Sequence, residues 1–299
     1  MKTPTIVAAL ALIASTYASA QPADTLSKIR TKNEIALGVR ETAQPFSYLD
    51  ASHQFVGYSV DLCLKVVEGL KSHLTLPDLK VRMVPVASSN RIPLMANGTI
   101  DLECGTTSNT IERQKQVAFS STIFVASTRF VSKKTANLAD LNALAGKAVV
   151  ATAGSSNIRQ ISELNAARKY GMRIAPARDF AEGFLMMETD RAAAFFLDDI
   201  TLAGLVANAK TPDAFVISKA PLSVEPYALM MRKGDPSFKA LVDDVLETTF
   251  SSGAINGIYA KWFESSIPPK SINMRVPMSP ALQRAISHPS DSADAASYQ

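Results

Sequence analysis

Two spacings of apolar residues alternate along the chain and predict alternating helices and strands. Val60, Leu64, Val67 and Leu70 recur at helical spacing, whereas shorter apolar runs bounded by turn residues predict strands. The predicted helices span 59–74, 92–96, 109–117, 156–170, 182–188, 199–207, 237–250 and 253–263, and the predicted strands span 35–39, 81–86, 100–104, 123–131, 148–152, 173–177, 192–197, 215–218 and 227–231. This order predicts two α/β units with helix-covered parallel sheet and a cleft between them.

The first twenty residues have the pattern of a signal peptide. Lys2 precedes the apolar segment 6–13, and Ala18-Ser19-Ala20 is a small-x-small cleavage sequence. Because the apolar segment is too short to span a bilayer, we expect cleavage after Ala20 and an exported protein. The alternative is an N-terminal membrane anchor.

Composition and charge narrow the classes of function. The chain has 299 residues, 47% of them hydrophobic, which suffices for one large or two ordinary domains. Lys plus Arg number 31 and Asp plus Glu 27, and the net charge of +4 is scattered along the sequence. Because phosphate binding requires clustered Lys and Arg, we expect no nucleic-acid partner.

The two cysteines, Cys63 and Cys104, are too few for a disulfide-dense scaffold or a four-thiolate metal site. Cys63 lies in a predicted helix and Cys104 at the end of a predicted strand, so the two elements could touch. A disulfide and a pair of buried free thiols both fit this pattern, because the sequence does not give the distance between them.

The segment 101–115 combines features of an anion site. A predicted strand ends at Gly105, hydroxyl residues follow, and Asn109 and Glu112 have the spacing of a capping box at a helix start. Arg113 stands one turn inside that helix. Amides, hydroxyls and a guanidinium at a helix N-terminus suit an anion, best a planar carboxylate held by two parallel hydrogen bonds. The alternative is a well-capped helix with a solvated arginine.

Two further strand ends carry polar residues suited to a small ligand. Gly154 and Ser156 follow the predicted strand 148–152, where glycine permits close backbone approach and the serine stands at a helix start. Asp198 follows the apolar run 192–197, and a carboxylate at a cleft-facing strand end suits an ammonium group. The alternative at both places is an ordinary helix N-cap.

Two more arginines stand near predicted strand ends. Arg40 follows the first strand, and Arg91 follows Ser88 at a helix start. Taken singly, each arginine could lie on the surface. If these strand ends meet in one cleft, Arg113 would hold one carboxylate and Asp198 an ammonium group. Arg40 and Arg91 would then hold a second carboxylate, because buried arginines in surplus require an anionic ligand.

A set of sequence motifs resembles one known family. The motifs are GVRETAQPFSY (38–48), GYSVDLC (57–63), SSNRIPLMANGTIDLECGTTSN (88–109), ERQKQVAFSSTIFV (112–125), GKAVVATAGSS (146–156), FFLDD (195–199) and KWFESSIPPKSINM (261–274). They resemble the glutamate/aspartate-binding periplasmic proteins of ABC-type amino-acid importers, within bacterial extracellular solute-binding protein family 3. The resemblance extends over about 26–289.

The resemblance implies the α/β type II periplasmic-binding-protein fold, in which two α/β lobes are joined by two hinge strands with the ligand cleft between them. Lobe 1 would comprise 21–125 and 223–285, and lobe 2 would comprise 126–222. The residues after Arg284 are small and polar, and we expect a flexible tail over 286–299.

The function implied by the resemblance is capture of glutamate or aspartate in the periplasm by hinge closure, and delivery to the membrane permease of an ABC importer. It needs no cofactor and no metal ion, and a monomer is expected. A dehydratase-type enzyme on the same lobes is the competing class. Because His53, His73 and His288 all lie outside the motifs, we expect no enzymatic activity.

The resemblance also implies roles for individual residues. Arg113, Ser108 and Ser156 fall where the α-carboxylate of the ligand is held. Asp198 falls where the ammonium group is held, with Thr106 contributing from lobe 1. Arg40, Ser88 and Arg91 fall where the side-chain carboxylate is held.

This sequence departs from the family pattern at some of these positions. Thr106 stands where Ser is frequent, and Ser108 and Ser156 stand where Thr is frequent, so the hydroxyl groups are retained. Phe180 replaces a histidine that contacts the side-chain carboxylate, and phenylalanine cannot donate that hydrogen bond. The choice between glutamate, aspartate and another polar amino acid therefore stays open, as does a plain packing role for Phe180.

Overall fold

The computed structural model describes residues 24–298, and the predicted signal peptide, residues 1–20, lies outside this part of the chain. Its α-helices are α1 (Thr25–Lys32), α2 (Tyr58–Leu74), α3 (Arg91–Ala96), α4 (Ile111–Gln114), α5 (Ser156–Arg168), α6 (Phe180–Glu188), α7 (Asp199–Asn208), α8 (Pro236–Ser251), α9 (Ala254–Tyr259) and α10 (Pro280–Ser287). Its strands are β1 (Glu34–Val39), β2 (Thr42–Ala43), β3 (Ser47–Leu49), β4 (Phe55–Val56), β5 (Lys80–Pro85), β6 (Leu102–Cys104), β7 (Val117–Phe119), β8 (Phe124–Ala126), β9 (Thr128–Lys133), β10 (Ala148–Thr152), β11 (Arg173–Ala177), β12 (Ala194–Asp198), β13 (Phe215–Ile217), β14 (Glu225–Tyr227), β15 (Met230–Arg232), β16 (Ser266–Ile267) and β17 (Ile272–Asn273). Within residues 24–298, every helix is too short or too polar to cross a membrane.

Two mixed five-stranded sheets form the centres of two lobes. The first has the strand order β5-β1-β6-β15-β7, with β5 and β6 parallel to β1 and with β15 antiparallel to both of its neighbours. The second has the order β11-β10-β12-β9-β13, with β11 and β12 parallel to β10 and with β9 antiparallel to both of its neighbours. Buried apolar side chains cover both faces of each sheet. The segments that follow β6 and β10, one from each sheet, meet between the lobes, where Ser108 Oγ lies 3.3 Å from Ser156 Oγ.

Two strands carry the chain between the lobes. The chain leaves the first sheet after β7, passes through β8 into β9, and returns through β14 into β15. β8 and β14 pair antiparallel, with Tyr227 opposite Phe124 and Glu225 opposite Ala126. The β-rich stretch predicted over 123–131 therefore contains two strands, β8 and β9, because the chain changes sheets within it.

Helix α2 buries a face slightly different from the one that the sequence predicts. Val60, Val67 and Leu70 are buried as predicted, but Leu64 is 37% exposed. Cys63 takes the corresponding position in the core. Burying one such aliphatic side chain stabilises the fold by about 1.5–3 kcal/mol, so this face fixes α2 on the sheet.

A disulfide joins α2 to the end of β6. Cys63 and Cys104 are bonded, with their Cα atoms 6.0 Å apart, and both side chains are buried. The sequence is compatible with a disulfide or with two buried free thiols, and the structure has the disulfide. Because Cys104 immediately precedes the loop that contains Thr106, the bond anchors the start of that loop to the core.

We expect the double variant Cys63→Ala, Cys104→Ala to lose about 3–4 kcal/mol in free energy of unfolding, because the bond closes a long loop in the unfolded chain. The two cysteines are 41 residues apart. Urea unfolding under oxidising conditions measures the loss, and the reduced wild-type protein is the matched control. Equal midpoints for the oxidised wild type and the variant would show that the crosslink contributes no stability.

The C-terminal residues pack on the first lobe, whereas the sequence predicts a flexible tail over 286–299. Helix α10 buries Leu282, and the chain continues to Tyr298, which is only 5% exposed. The Tyr298 hydroxyl oxygen lies 2.8 Å from Thr122 Oγ1. The composition of this segment is small and polar, but its hydrogen-bond partners belong to distant parts of the sequence, which local patterns do not reveal.

Candidate functional site

A short helical turn places Arg113. Helix α4 begins after Thr110, whose hydroxyl accepts a hydrogen bond from the Arg113 backbone amide at 3.2 Å. The helix predicted over 109–117 is therefore confined to 111–114, and the prediction of Asn109 as its cap is wrong. The Asn109 side chain bonds to the C-terminal segment instead, and the chain enters β7 soon after α4.

The guanidinium of Arg113 bridges the two lobes. Its Nη1 donates to the Ser108 carbonyl at 2.9 Å, and its Nη2 donates to the Gly154 carbonyl at 3.3 Å, in the loop after β10. Arg113 is 8% exposed, so the alternative of a solvated arginine is wrong. Burial, followed by repulsion from Arg91, lowers the pKa of Arg113 to about 9.

The loop after β10 approaches the first lobe closely. Gly154 has φ of +75°, and a Cβ atom there would lie 2.6 Å from Ser89 Cα, so only glycine fits. Ser155 caps α5 through its side chain. Ser156 is therefore free of the capping role, and its Oγ lies 3.3 Å from Ser108 Oγ across the cleft.

Asp198 lies at the end of β12 in a shell of hydrogen-bond donors. Its Oδ1 accepts from Asn157 Nδ2 at 2.7 Å and from Thr128 Oγ1 at 3.2 Å, and its Oδ2 accepts from the Tyr227 hydroxyl. The side chain makes no capping bond to α7, so the capping alternative is wrong. Burial, and next the negative charge of Glu225, raise the pKa of Asp198 to about 7. This carboxylate is positioned to meet a cation from inside the cleft.

Arg40 and Arg91 are buried at the other end of the cleft. Each is 2% exposed, so the alternative of surface positions is wrong for both. The Arg40 Cζ atom lies 4.7 Å from the centre of the Phe180 ring, which places Phe180 over the guanidinium face. Burial and repulsion from Arg91 lower the pKa of Arg40 to about 10.

Several donors at this end have no hydrogen-bond partner among residues 24–298. They are Arg40 Nη1, Arg91 Nε and Nη1, and the Ser88 hydroxyl. A buried donor without an acceptor costs about 1–3 kcal/mol, and more when it is charged. Such a set of donors fits an oxygen-rich anionic group.

Two buried acids that sequence analysis missed balance part of the positive charge. Glu103 Oε1 lies 3.8 Å from Arg91 Nη1, and its Oε2 accepts from Thr107 Oγ1 at 2.7 Å. Glu225, on hinge strand β14, accepts from Ser223 Oγ at 2.7 Å. A surplus of arginines therefore does not by itself imply an anionic ligand. The inference depends instead on the guanidinium donors that lack a hydrogen-bond acceptor among residues 24–298. Glu103 could have been recognised from the sequence, because it is a charged residue within a predicted apolar strand. Glu225 could not, because it lies outside every predicted element.

The residues singled out from the sequence all lie buried around this cleft, at strand ends, in the loops that follow them or in the first turn of the next helix. They are Arg40, Ser88, Arg91, Thr106, Ser108, Arg113, Ser156 and Asp198. The cleft has the guanidinium group of Arg113 at one place and those of Arg40 and Arg91 at another. The Asp198 carboxylate lies between hinge strand β14 and the second lobe. Within residues 24–298, no cluster of three or more His, Cys, Asp or Glu side chains could hold a metal ion.

Comparisons with known proteins agree with this architecture. The model of the bacterial extracellular solute-binding proteins, family 3, matches residues 35–265. The L-glutamate/L-aspartate-binding protein of Pseudomonas aeruginosa is 48% identical over 95% of this chain and 94% of the relative. The glutamate/aspartate import solute-binding protein of Escherichia coli is 44% identical over 98% of each chain. A solved ArgBP mutant from T. maritima has a TM-score of 0.72 and 27% identity, covering 80% of this chain and 99% of that one.

The two lobes, the paired crossing strands and these matches confirm the predicted type II periplasmic-binding fold. The family match spans more than half of the chain, and the two relatives are similar over nearly their whole length. This chain belongs to the bacterial extracellular solute-binding proteins, family 3.

Proposed function

We propose that this protein captures glutamate or aspartate in the periplasm and delivers it to the permease of an ABC importer. The observation that supports an acidic ligand best is the set of buried guanidinium donors of Arg40 and Arg91 that lack a hydrogen-bond acceptor among residues 24–298. The names of the relatives from Pseudomonas aeruginosa and Escherichia coli point to the same ligands.

One end of the cleft would hold the groups that every amino acid shares. Arg113 would hold the α-carboxylate with the hydroxyls of Ser108 and Ser156, which lie on opposite lobes. Asp198 would hold the ammonium group, with Thr106 contributing. Charge-assisted hydrogen bonds of this kind are shorter and about twice as strong as neutral ones.

The other end would hold the side-chain carboxylate. Arg40, Arg91 and Ser88 each have a buried donor without a hydrogen-bond acceptor among residues 24–298. Phe180 covers the face of Arg40 and leaves the in-plane N–H donors for an acceptor. Phenylalanine therefore removes a hydrogen bond that histidine could make, but it keeps Arg40 in place, which fits an acidic side chain.

Ligand binding would act through closure of the lobes. Contacts such as Arg113 to Gly154 cross between lobes, so the structure corresponds to a closed arrangement. A ligand shifts an open-closed equilibrium only by the contacts that it gains in the closed state. An amino acid held by Arg113 on one lobe and Asp198 on the other gains such contacts. Micromolar affinity needs about −8 kcal/mol, which two carboxylate contacts and one ammonium contact can supply.

The relatives from Pseudomonas aeruginosa and Escherichia coli support a binding role rather than catalysis. Both are solute-binding proteins rather than enzymes. Recovery of the amino acid unchanged after incubation with the protein is the expected result, and turnover would contradict the proposal.

A thermal-shift screen of the twenty L-amino acids tests the proposed ligand class. A ligand that binds only the folded protein stabilises it by about 2.7 kcal/mol at one hundred times its Kd. We expect glutamate and aspartate to raise Tm most. A larger shift with arginine or glutamine than with either acid would contradict the proposal.

We expect Arg40→Gln to weaken glutamate binding about 100-fold and glutamine binding less than about threefold, because Arg40 would face only the side-chain carboxylate. Calorimetric titration of both ligands measures the two losses. Arg82→Gln, which removes a half-exposed arginine, is the matched control. Equal losses for the two ligands would place Arg40 away from the side-chain carboxylate.

A further inference from the structure

The segment 288–298 contacts the loop that carries Ser108 and Arg113. The Asp291 carbonyl accepts hydrogen bonds from Asn109 Nδ2 at 2.8 Å and from Gln114 Nε2 at 3.0 Å. Gln114 Nε2 also lies 2.9 Å from Asn109 Oδ1. One carbonyl of the C-terminal segment therefore joins two amide side chains of the loop 108–114.

A second contact fixes this segment next to the hinge. The Ser290 carbonyl accepts from the Thr122 backbone amide at 2.9 Å, and the Tyr298 hydroxyl lies 2.8 Å from Thr122 Oγ1. The Tyr298 hydroxyl also donates to the Ser292 carbonyl at 2.9 Å, which closes the segment on itself. Thr122 is buried and directly precedes Ile123, whose amide bonds to hinge strand β14.

The loop is thus held from two sides. The Asn109 backbone amide donates to the Pro226 carbonyl in β14 at 2.7 Å, while its side chain donates to Asp291. Asp291 is in turn paired with Lys239 of α8 at 3.0 Å. Helix α4 has only one turn and supplies few bonds of its own. The orientation of Arg113 therefore depends on contacts from outside its helix.

We propose that residues 288–298 form a strap that positions the loop 108–114, and through it the Arg113 guanidinium, without contacting the ligand. The strap acts on the end of the cleft that would hold the α-carboxylate, so the part of this inference that concerns ligand affinity rests on the proposed function. The strap contacts themselves do not depend on it.

A chain that ends at Pro289 tests the strap by calorimetry. We expect Kd to rise about tenfold for glutamate and by the same factor for glutamine, because both ligands share the α-carboxylate. The stoichiometry stays near one. A lower Tm with an unchanged Kd would overturn the proposal, because it would show a strap that only stabilises the fold.

Hydrogen exchange gives a readout that needs no ligand. Without the strap, the amides of 109–114 should exchange at least about tenfold faster, while those of α5 in the other lobe keep their rates. Unchanged exchange at 109–114 overturns the strap even if no amino acid binds. Failure of the full chain to bind any amino acid overturns the proposed function instead, so the two failures are distinguishable.

A milder variant covers the case in which the shortened chain does not fold. Tyr298→Ala removes the contact with Thr122 and should speed exchange at 109–114 about threefold. Gln283→Ala, on the exposed side of α10, is the matched control and should leave the exchange rates unchanged. Equal rates in Tyr298→Ala and Gln283→Ala would contradict the strap.

Discussion

Arg113→Ala will lose about 1,000-fold or more in affinity for glutamate and aspartate, which places binding beyond the range of ordinary calorimetry. The side chain is buried, and its guanidinium donates hydrogen bonds to carbonyls of both lobes. Alanine would leave the α-carboxylate without its buried partner and would also remove a contact that joins the lobes in the closed state. The loss should therefore be similar for every amino acid.

Arg113→Lys is the matched control, since it keeps the charge and removes the two-pronged geometry. We expect an intermediate loss of about 10- to 100-fold. Circular dichroism should show both variants folded. Micromolar affinity retained by Arg113→Ala would mean that the α-carboxylate is held elsewhere.

Asp198→Asn will weaken amino-acid binding about 100-fold or more, because the amide cannot compensate the ammonium charge in a buried site. The variant should nevertheless fold as well as the wild type at pH 8. An ionised Asp198 is costly in the protein without ligand, since burial and Glu225 raise its pKa to about 7. Loss of binding with an unchanged or higher Tm would show that Asp198 acts on the ligand and not on the stability of the fold. A lower Tm with unaltered Kd would contradict the assignment.

The same raised pKa gives the direction of the pH dependence. Between the ordinary value of 3.8 and about 7, folded protein without ligand holds a proton on Asp198 that the unfolded chain has released. The contribution of Asp198 to the free energy of unfolding therefore falls as the pH rises through this window. A bound ammonium group favours the ionised carboxylate, so affinity changes in the opposite sense. Glutamate should bind about 10- to 30-fold more weakly at pH 5.5 than at pH 8, and Asp198→Asn should show little pH dependence.

Local sequence patterns predict the central strands and helices of this fold, but they do not predict the terminal helices α1 and α10. The strands predicted over 148–152 and 173–177 agree with β10 and β11 to the residue. Both are short apolar or β-rich runs whose ends are marked by turn residues. The β-rich stretch predicted over 123–131 contains two strands, and the local pattern does not show that the chain leaves one sheet and enters another at Ser127.

The candidate site depends more on tertiary structure. Strand ends followed by hydroxyl and charged residues indicated Arg113, Ser156 and Asp198, and all three are buried at the cleft. Their partners were not predictable, because Tyr227 reaches Asp198 from a hinge strand far along the sequence. The Asp291 carbonyl reaches Asn109 from the C-terminal segment in the same way. The ligand-binding roles themselves stay predictions.

Calorimetric titration of the mature protein with L-glutamate, L-aspartate and L-glutamine at pH 7.5 tests the central claim most directly. The arrangement of Arg40, Arg91, Arg113 and Asp198 predicts that at least one of the two acids binds with one site per chain and a Kd of about 1 μM or lower. It also predicts that glutamine binds at least about 100-fold more weakly, because it lacks the second carboxylate. Glutamine binding as tightly as both acids, or no binding of either acid, would contradict the account.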